Sequence, residues 1–169
     1  MVKAAIRKAN VNDIPAIIQT RLTSTSERET EGFGAPEWMT EWSVEEWRKM
    51  WAEENKLKDG SEVLVAEKEN KIVGFIVFKE EVGYVYIDDV YVTKAEQRKG
   101  VGKALVTYVE DIAVARGFSC IKTDTTENAQ GIPWKSYSFW IKMGYKDTGE
   151  RLPTQWSFKT IPFVKNLKH

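Results

Sequence analysis

Gln97-Arg98-Lys99-Gly100-Val101-Gly102 follows the strand-like run Val85–Val92 and opens an amphipathic helix. Backbone N–H groups at a helix start have no intrahelical partner, and the helix dipole favours negative charge there. Glycine permits a tight turn and lets a pyrophosphate approach the backbone closely. A phosphate-bearing ligand is therefore the first expectation, although the same spacing also serves an ordinary tight turn. Two nucleotide motifs do not fit. Leu105 stands where GxGxxG needs its third glycine, and Gly102-Lys103-Ala104 offers no hydroxyl for the magnesium of a P-loop. Cys120 is the sole cysteine and reads as a core thiol, which excludes a disulfide framework and a CxxC site. His169 is the sole histidine and the last residue, so no His-based triad or multi-histidine metal site is available.

The elements that position this loop are legible from periodicity and turn residues. Lys3–Lys8 reads as a first strand. Asn12 or Asp13 caps a helix with Ile14, Ile17, Ile18 and Leu22 on its apolar side. The acidic stretch Thr23–Glu41 reads as an irregular connection. Ser43 and Glu46 form a capping box for a helix carrying Trp47, Met50, Trp51 and Leu57, ended by Asp59-Gly60. Glu62–Glu67, Lys71–Lys79 and Gly83–Val92 have strand composition, and a helix from about Gly102 to Arg116 stops at Gly117. Cys120 and Ile121 belong to a further strand. Pro133 starts a short helix ended by Gly144, and Gln155–Thr160 and Phe163–Leu167 read as two closing strands. The 169 residues thus predict one mixed α+β domain spanning 1–169.

Charge balance narrows the partners. Lys plus Arg equals Asp plus Glu at 25 each, which argues against a broad nucleic-acid binder. No run reaches membrane-spanning length and no leader-like apolar core opens the chain, so no membrane partner and a cytoplasmic location are expected.

The sequence resembles the GCN5-related N-acetyltransferase (GNAT) superfamily over nearly its whole length. Gln97–Gly102 is similar to that family's acyl-CoA pyrophosphate loop, (Gln/Arg)-x-x-Gly-x-(Gly/Ala), preceded by the hydrophobic strand end Val90-Tyr91-Val92. Trp140-Ile141-Lys142-Met143-Gly144-Tyr145 is similar to its later helix-to-strand motif. The resemblance implies a mixed central sheet whose fourth and fifth strands splay apart, flanked by helices, with acetyl-CoA between those strands. It implies pantetheine bonding along the Val90, Tyr91 and Val92 backbone and pyrophosphate on the N–H groups of Arg98 through Lys103. Gln97, Arg98, Lys99 and Lys103 become candidates for phosphate contacts, with Gly100, Val101 and Gly102 shaping the turn and Asn128 resembling an asparagine that contacts CoA.

Direct acetyl transfer requires alignment of two substrates, removal of an ammonium proton and stabilisation of developing charge. Asp88-Asp89 is the carboxylate pair for the proton. Adjacent strand residues point to opposite faces, so one is expected on the substrate side and the other elsewhere. The pair with Val90-Tyr91-Val92 is similar to a stretch of spermidine/spermine acetyltransferases. Tyr86 occupies the position that carries the base in histone acetyltransferases, which weakens a histone-lysine reading and groups Tyr86 with the substrate-binding residues. The family commonly has a tyrosine where this chain has Trp140, whose indole can pack on the CoA arm but cannot act as a practical acid. Tyr137, three residues earlier on the same helical face, is the candidate donor to the leaving thiolate. Glu31, Trp38 and Trp42 are candidates for the amine-binding wall, with their neighbouring glutamates attracting a cation and the indoles covering it.

The expected function is an acetyl-CoA-dependent N-acetyltransferase for a small primary amine or polyamine. A peptide or protein N-acetyltransferase is the alternative within the enzyme class, and a catalytically weak acyl-CoA-binding regulator the alternative outside it. A homodimer is a further implication of the resemblance.

Overall fold

The computed structural model describes residues 3–24 and 42–168. Strands β1 (Ala5–Lys8), β2 (Trp51–Glu53), β3 (Lys56–Leu57), β4 (Glu62–Lys68), β5 (Lys71–Glu81), β6 (Tyr84–Val92), β7 (Cys120–Glu127), β8 (Lys146–Asp147), β9 (Leu152–Pro153) and β10 (Lys159–Asn166) share one sheet. Its order is β2-β3-β4-β5-β6-β7-β10-β8, with β1 on β4 and β9 on β10. Every pair is antiparallel except β6 with β7, so the sheet is mixed.

Helices cover both faces, which is why β4 and β5 are apolar on both sides. Helices α1 (Ile14–Ser24) and α2 (Val44–Met50) set Ile14, Ile17, Ile18 and Trp47 against Val63, Val65, Phe75 and Val77. On the other face, α3 (Val101–Ala115) and α4 (Ser136–Lys142) set Leu105, Val106, Val109 and Trp140 against Leu64, Ile76, Phe78, Val85 and Ile87. Each such fully buried aliphatic side chain contributes about 1.5–3 kcal/mol.

At Gly74 the first turn of α3 packs tightly on β5. A Cβ there would lie 3.1 Å from the Tyr91 carbonyl oxygen and 3.1 Å from Val101 Cγ1. Gly74→Ala is expected to destabilise by about 1–2 kcal/mol, because a backbone oxygen and a packed helix must both give way. A guanidinium-denaturation midpoint unchanged from the parent would disprove that close fit. At its far end, α3 is tied down by Arg116, which donates to Glu62 at 2.6 and 2.9 Å and to Glu80 at 3.1 Å.

Several local expectations are corrected. The helix after Ser43 ends at Met50 instead of running to Leu57, although Ser43 Oγ does accept from the Glu46 N–H at 3.1 Å. Trp51 turns extended, its indole donates to the Glu54 carbonyl at 2.9 Å, and a β2–β3 hairpin returns Leu57 to the core. The first cap is Asn10, whose side chain accepts from the Asn12 N–H while Asp13 accepts from the Asn10 N–H. The short helix begins at Ser136, after an isolated bridge from Pro133 to Glu127. The two closing strands are one, β10, continuous through Pro162. Pro162 accepts from the Thr148 N–H, so its missing donor faces the gap between β8 and β9, where no ladder needs it.

Candidate active site

Strands β6 and β7 pair only at Val85↔Ile121 and Tyr86↔Lys122. Beyond that, two side chains take over from the ladder. Thr123 Oγ1 donates to the Ile87 carbonyl at 3.0 Å, and the Tyr86 hydroxyl donates to Asp124. From there the strands splay, and the β6 edge that faces β7 has no strand partner among the described residues over 87–92. Val90, Tyr91 and Val92 remain anchored on the other side by β5, through Ile76, Phe75 and Gly74. The result is an open wedge with a fixed wall.

The mouth of the wedge is the Gln97–Gly102 loop. Gln97 Nε2 donates to the Val92 carbonyl at 3.0 Å, folding the loop back on the strand end. Arg98 and Gly100 both adopt left-handed backbone, with φ of 63° and 90°. Gly100 is the N-cap of α3 and supplies no side-chain cap, so the first-turn N–H groups of that fifteen-residue helix are left for another acceptor. Arg98, Lys99 and Lys103 are exposed around it. Val101 points its side chain into the core, so only its N–H belongs to this cradle.

Asp88 and Asp89 differ from the alternation expected of a regular strand. Val77 pairs with Asp89 and Phe78 with Ile87, so Asp88 is the extra residue of a β-bulge. The insertion flips the side-chain register. Tyr86 and Asp88 before it, and Asp89 and Tyr91 after it, then share the face under α1 and α2. Both carboxylates line one cavity of about 290 Å³, together with Trp42, Trp47, Asp59 and Glu81. Burial pushes the Asp89 carboxyl up to about 7, with Asp88 and Asp124 adding repulsion and the Arg21 charge opposing it. Burial likewise raises Asp88 to about 6, reinforced by Asp59, Asp124 and Glu81 and opposed by Lys79. The buried Arg21 guanidinium stacks on Trp42 at 3.7 Å from the ring centroid, which fixes that indole beside the cavity.

Other expected site residues lie elsewhere. Tyr137 donates to Asp147 at 2.9 Å and packs on Phe163, while Arg151 holds Asp147 at about 2. Asp147 pairs with Phe163, itself opposite Thr123, so this bond draws the Tyr137 hydroxyl to β8, beyond β7 and β10 from β6. That bond also raises the Tyr137 pKa, making it a poorer acid. Trp140 is only 2% exposed, wedged edge-on against Phe139 and Tyr145, and its indole is a core group instead of a wall for the CoA arm. Asn128 is buried, and its side-chain oxygen accepts from the Gln130 and Ile132 N–H groups, closing the 128–132 loop. Glu31 and Trp38 lie outside the described residues. Asp59, Glu81 and Asp124 were missed because they come from a hairpin turn, a strand end and a parallel neighbour. The one available signal was the alternation of Lys122, Asp124 and Thr126 along β7.

The splayed parallel pair, the uncapped glycine turn and the bulge are now joined by an independent match. The Acetyltransferase (GNAT) family profile covers residues 24–135. The chain belongs to this acetyltransferase family. It is accordingly an acyltransferase of the acetyl-CoA-dependent type. The fold also matches Ard1 from Thermoplasma volcanium, with a TM-score of 0.72 at 18% identity over 99% of this chain and 100% of that one. The PaiA N-acetyltransferase from Thermoplasma acidophilum, solved with coenzyme A, gives 0.68 at 19% identity over 94% and 97%. The ribosomal-protein-S18-alanine N-acetyltransferase from Escherichia coli gives 0.68 at 15% identity over 98% and 95%. No curated protein sequence matches this acetyltransferase significantly. Among its described residues no helix is long and apolar enough to cross a membrane.

Proposed function

We propose that this acetyltransferase transfers the acetyl group of acetyl-CoA directly to the primary amine of a small cationic acceptor, with polyamines in that class. The observation that carries the reading is the bulge that turns Asp88 and Asp89 into one tryptophan-walled cavity. Asp59 and Glu81 at the same cavity attract an alkylammonium, and Trp42 and Trp47 cover its methylenes.

The pyrophosphate of acetyl-CoA sits on the N–H groups from Arg98 to Lys103, with Gln97, Arg98, Lys99 and Lys103 around it. The pantetheine amides add along Val90–Val92 as a strand would, which brings the thioester toward the closed end of the wedge. Asp89, with Asp88 beside it, takes the ammonium proton; a carboxyl near 7 is well matched to do so at neutral pH. The nitrogen then attacks the thioester carbon, the C–S bond breaks, and water protonates the leaving thiolate. Tyr137→Phe is therefore expected to keep kcat within about threefold while losing about 1 kcal/mol of stability with its hydrogen bond. A large loss of turnover in a variant of parental stability would restore Tyr137 as the donor.

The test of the whole reading is acetyl-CoA consumption against spermidine, spermine, small diamines, aminoglycosides and lysine or N-terminal peptides, with mass detection of products. A polyamine or diamine product supports it. Selective peptide acetylation transfers the assignment to protein modification, and CoA binding without any product favours the weak-catalyst alternative.

A further inference from the structure

A second cavity, of about 320 Å³, opens beside the first on the β7–β10 side, bordered by Tyr86, Asp124, Thr148, Glu150, Leu152 and Pro162. Its inner corner is the point where β6 and β7 part. Tyr86 is the last β6 residue paired with β7, and Asp124 lies two residues beyond its partner Lys122, on the same face. The Tyr86 hydroxyl donates across that gap, so one side-chain bond fixes Asp124 at the closed end of the wedge. Position 86 on β6 carries a phenol, and a carboxylate faces it from β7.

We propose that Asp124, held by Tyr86, is a catalytic residue of this acetyltransferase: the second proton acceptor for the attacking nitrogen. The inference rests on the amine-transfer reading above. With water serving the sulfur, both protons that leave the nitrogen need an acceptor on its side of the reaction. An ammonium sheds one proton to become a nucleophile and another once its N–C bond has formed, while the departing sulfur takes up only one. One proton is therefore released per turnover. With Asp89 and Asp88 receiving the first, Asp124 receives the second from the opposite side of the wedge and releases it through the open second cavity to solvent.

The ionisable groups facing Asp124 fit that task. The Asp124 charge raises the pKa of Asp88 and Asp89 on β6, and Glu150 shares its cavity. Lys122, on its own strand, sets its ammonium over the Tyr84 ring at 4.3 Å from the centroid. Burial raises the Asp124 pKa, and the Tyr86 hydrogen bond opposes that rise. Tyr86 is thus a positioning residue, and it keeps the carboxylate ionised at lower pH than burial alone would allow.

The experiment measures kcat and KM for amine and acetyl-CoA across roughly pH 5.5–9.5 in Asp124→Asn and Tyr86→Phe. Asp124→Asn is expected to lower kcat about 100-fold with the acetyl-CoA KM unchanged within about twofold. Tyr86→Phe is expected to raise the Asp124 pKa, so that the acid limb of the kcat profile moves above the position Asp89 gives it in the parent, while its high-pH plateau stays within about threefold of the parent. If Asp124→Asn does not fold, that shift decides. A purely structural Tyr86 would lower kcat by one factor at every pH, and this result overturns the assignment. So does an Asp124→Asn enzyme within about threefold of the parent. If Asp89→Asn is crippled and Asp124→Asn is not, only this inference falls. A parent that acetylates no amine removes the underlying reading, and this assignment with it.

Discussion

Asp89→Asn is expected to lower kcat by about 10²- to 10³-fold, the usual range for loss of a positioned base, with little change in CoA affinity. The parental rate should rise with pH through about 7, because the carboxylate must be ionised to take the ammonium proton. In the variant that limb should weaken to what Asp88, whose carboxyl is raised to about 6, supplies. Stability should move the opposite way. A carboxyl raised to about 7 in the folded protein and near 4 unfolded binds more protons when folded, so stability falls as pH rises between those values. Above pH 7 the folded state carries the whole cost of the buried charge. Asn removes it, so at pH 8 the variant should be more stable by about 1–2 kcal/mol, after allowance for solvent at a half-buried site. Urea midpoints at pH 5 and pH 8 test this; an Asn variant destabilised equally at both would deny Asp89 a strained charge.

Gly100→Trp should abolish the other half of the site. Gly100 has φ +90° and no neighbour within 4 Å of a built Cβ, so the space in front of α3 is open and an indole would fill it. The left-handed conformation adds about 1–2 kcal/mol of backbone strain in any L-residue, too little to unfold a domain of ordinary stability. CoA affinity should fall at least about 100-fold, since both the approach to the N–H groups and the tight turn are lost. Calorimetric titration with CoA, beside circular dichroism and a thermal midpoint, separates binding from folding. A folded variant with parental CoA affinity would remove the pyrophosphate from this turn.

The glycine turn at the start of α3 was legible in the sequence because it is local. Turn glycines, a preceding strand and a following amphipathic helix all fall within about one βα unit, and the cradle proposed there would use backbone N–H groups. The apolar runs of β4, β5 and β6 and the α3 stripe were legible for the same reason: short-range periodicity reports which side is buried. The helix after Ser43 failed because Trp51 and Leu57 continue an apolar pattern that a strand hairpin also satisfies, and contact with β4 chose the hairpin.

What composition and local spacing determined is a mixed α+β domain with a glycine turn at a helix start between Gln97 and Gly102. The acyltransferase reading came from the family resemblance of that turn and of Trp140–Tyr145. Tertiary structure decided which other side chains meet beside that turn. Whether Asp88 and Asp89 share a face depends on one unpaired residue, visible only in the register of β6 against β5. Trp140 was assigned from the family motif and Tyr137 from helical spacing beside it, yet the Tyr137 hydroxyl is bonded to Asp147 and Trp140 is packed into the core against Tyr145. Asp124 reaches Tyr86 only because β7 lies parallel to β6 and the ladder stops after two pairs. Spacing along a chain fixes what a backbone turn can bind; pairing between distant strands fixes which side chains meet.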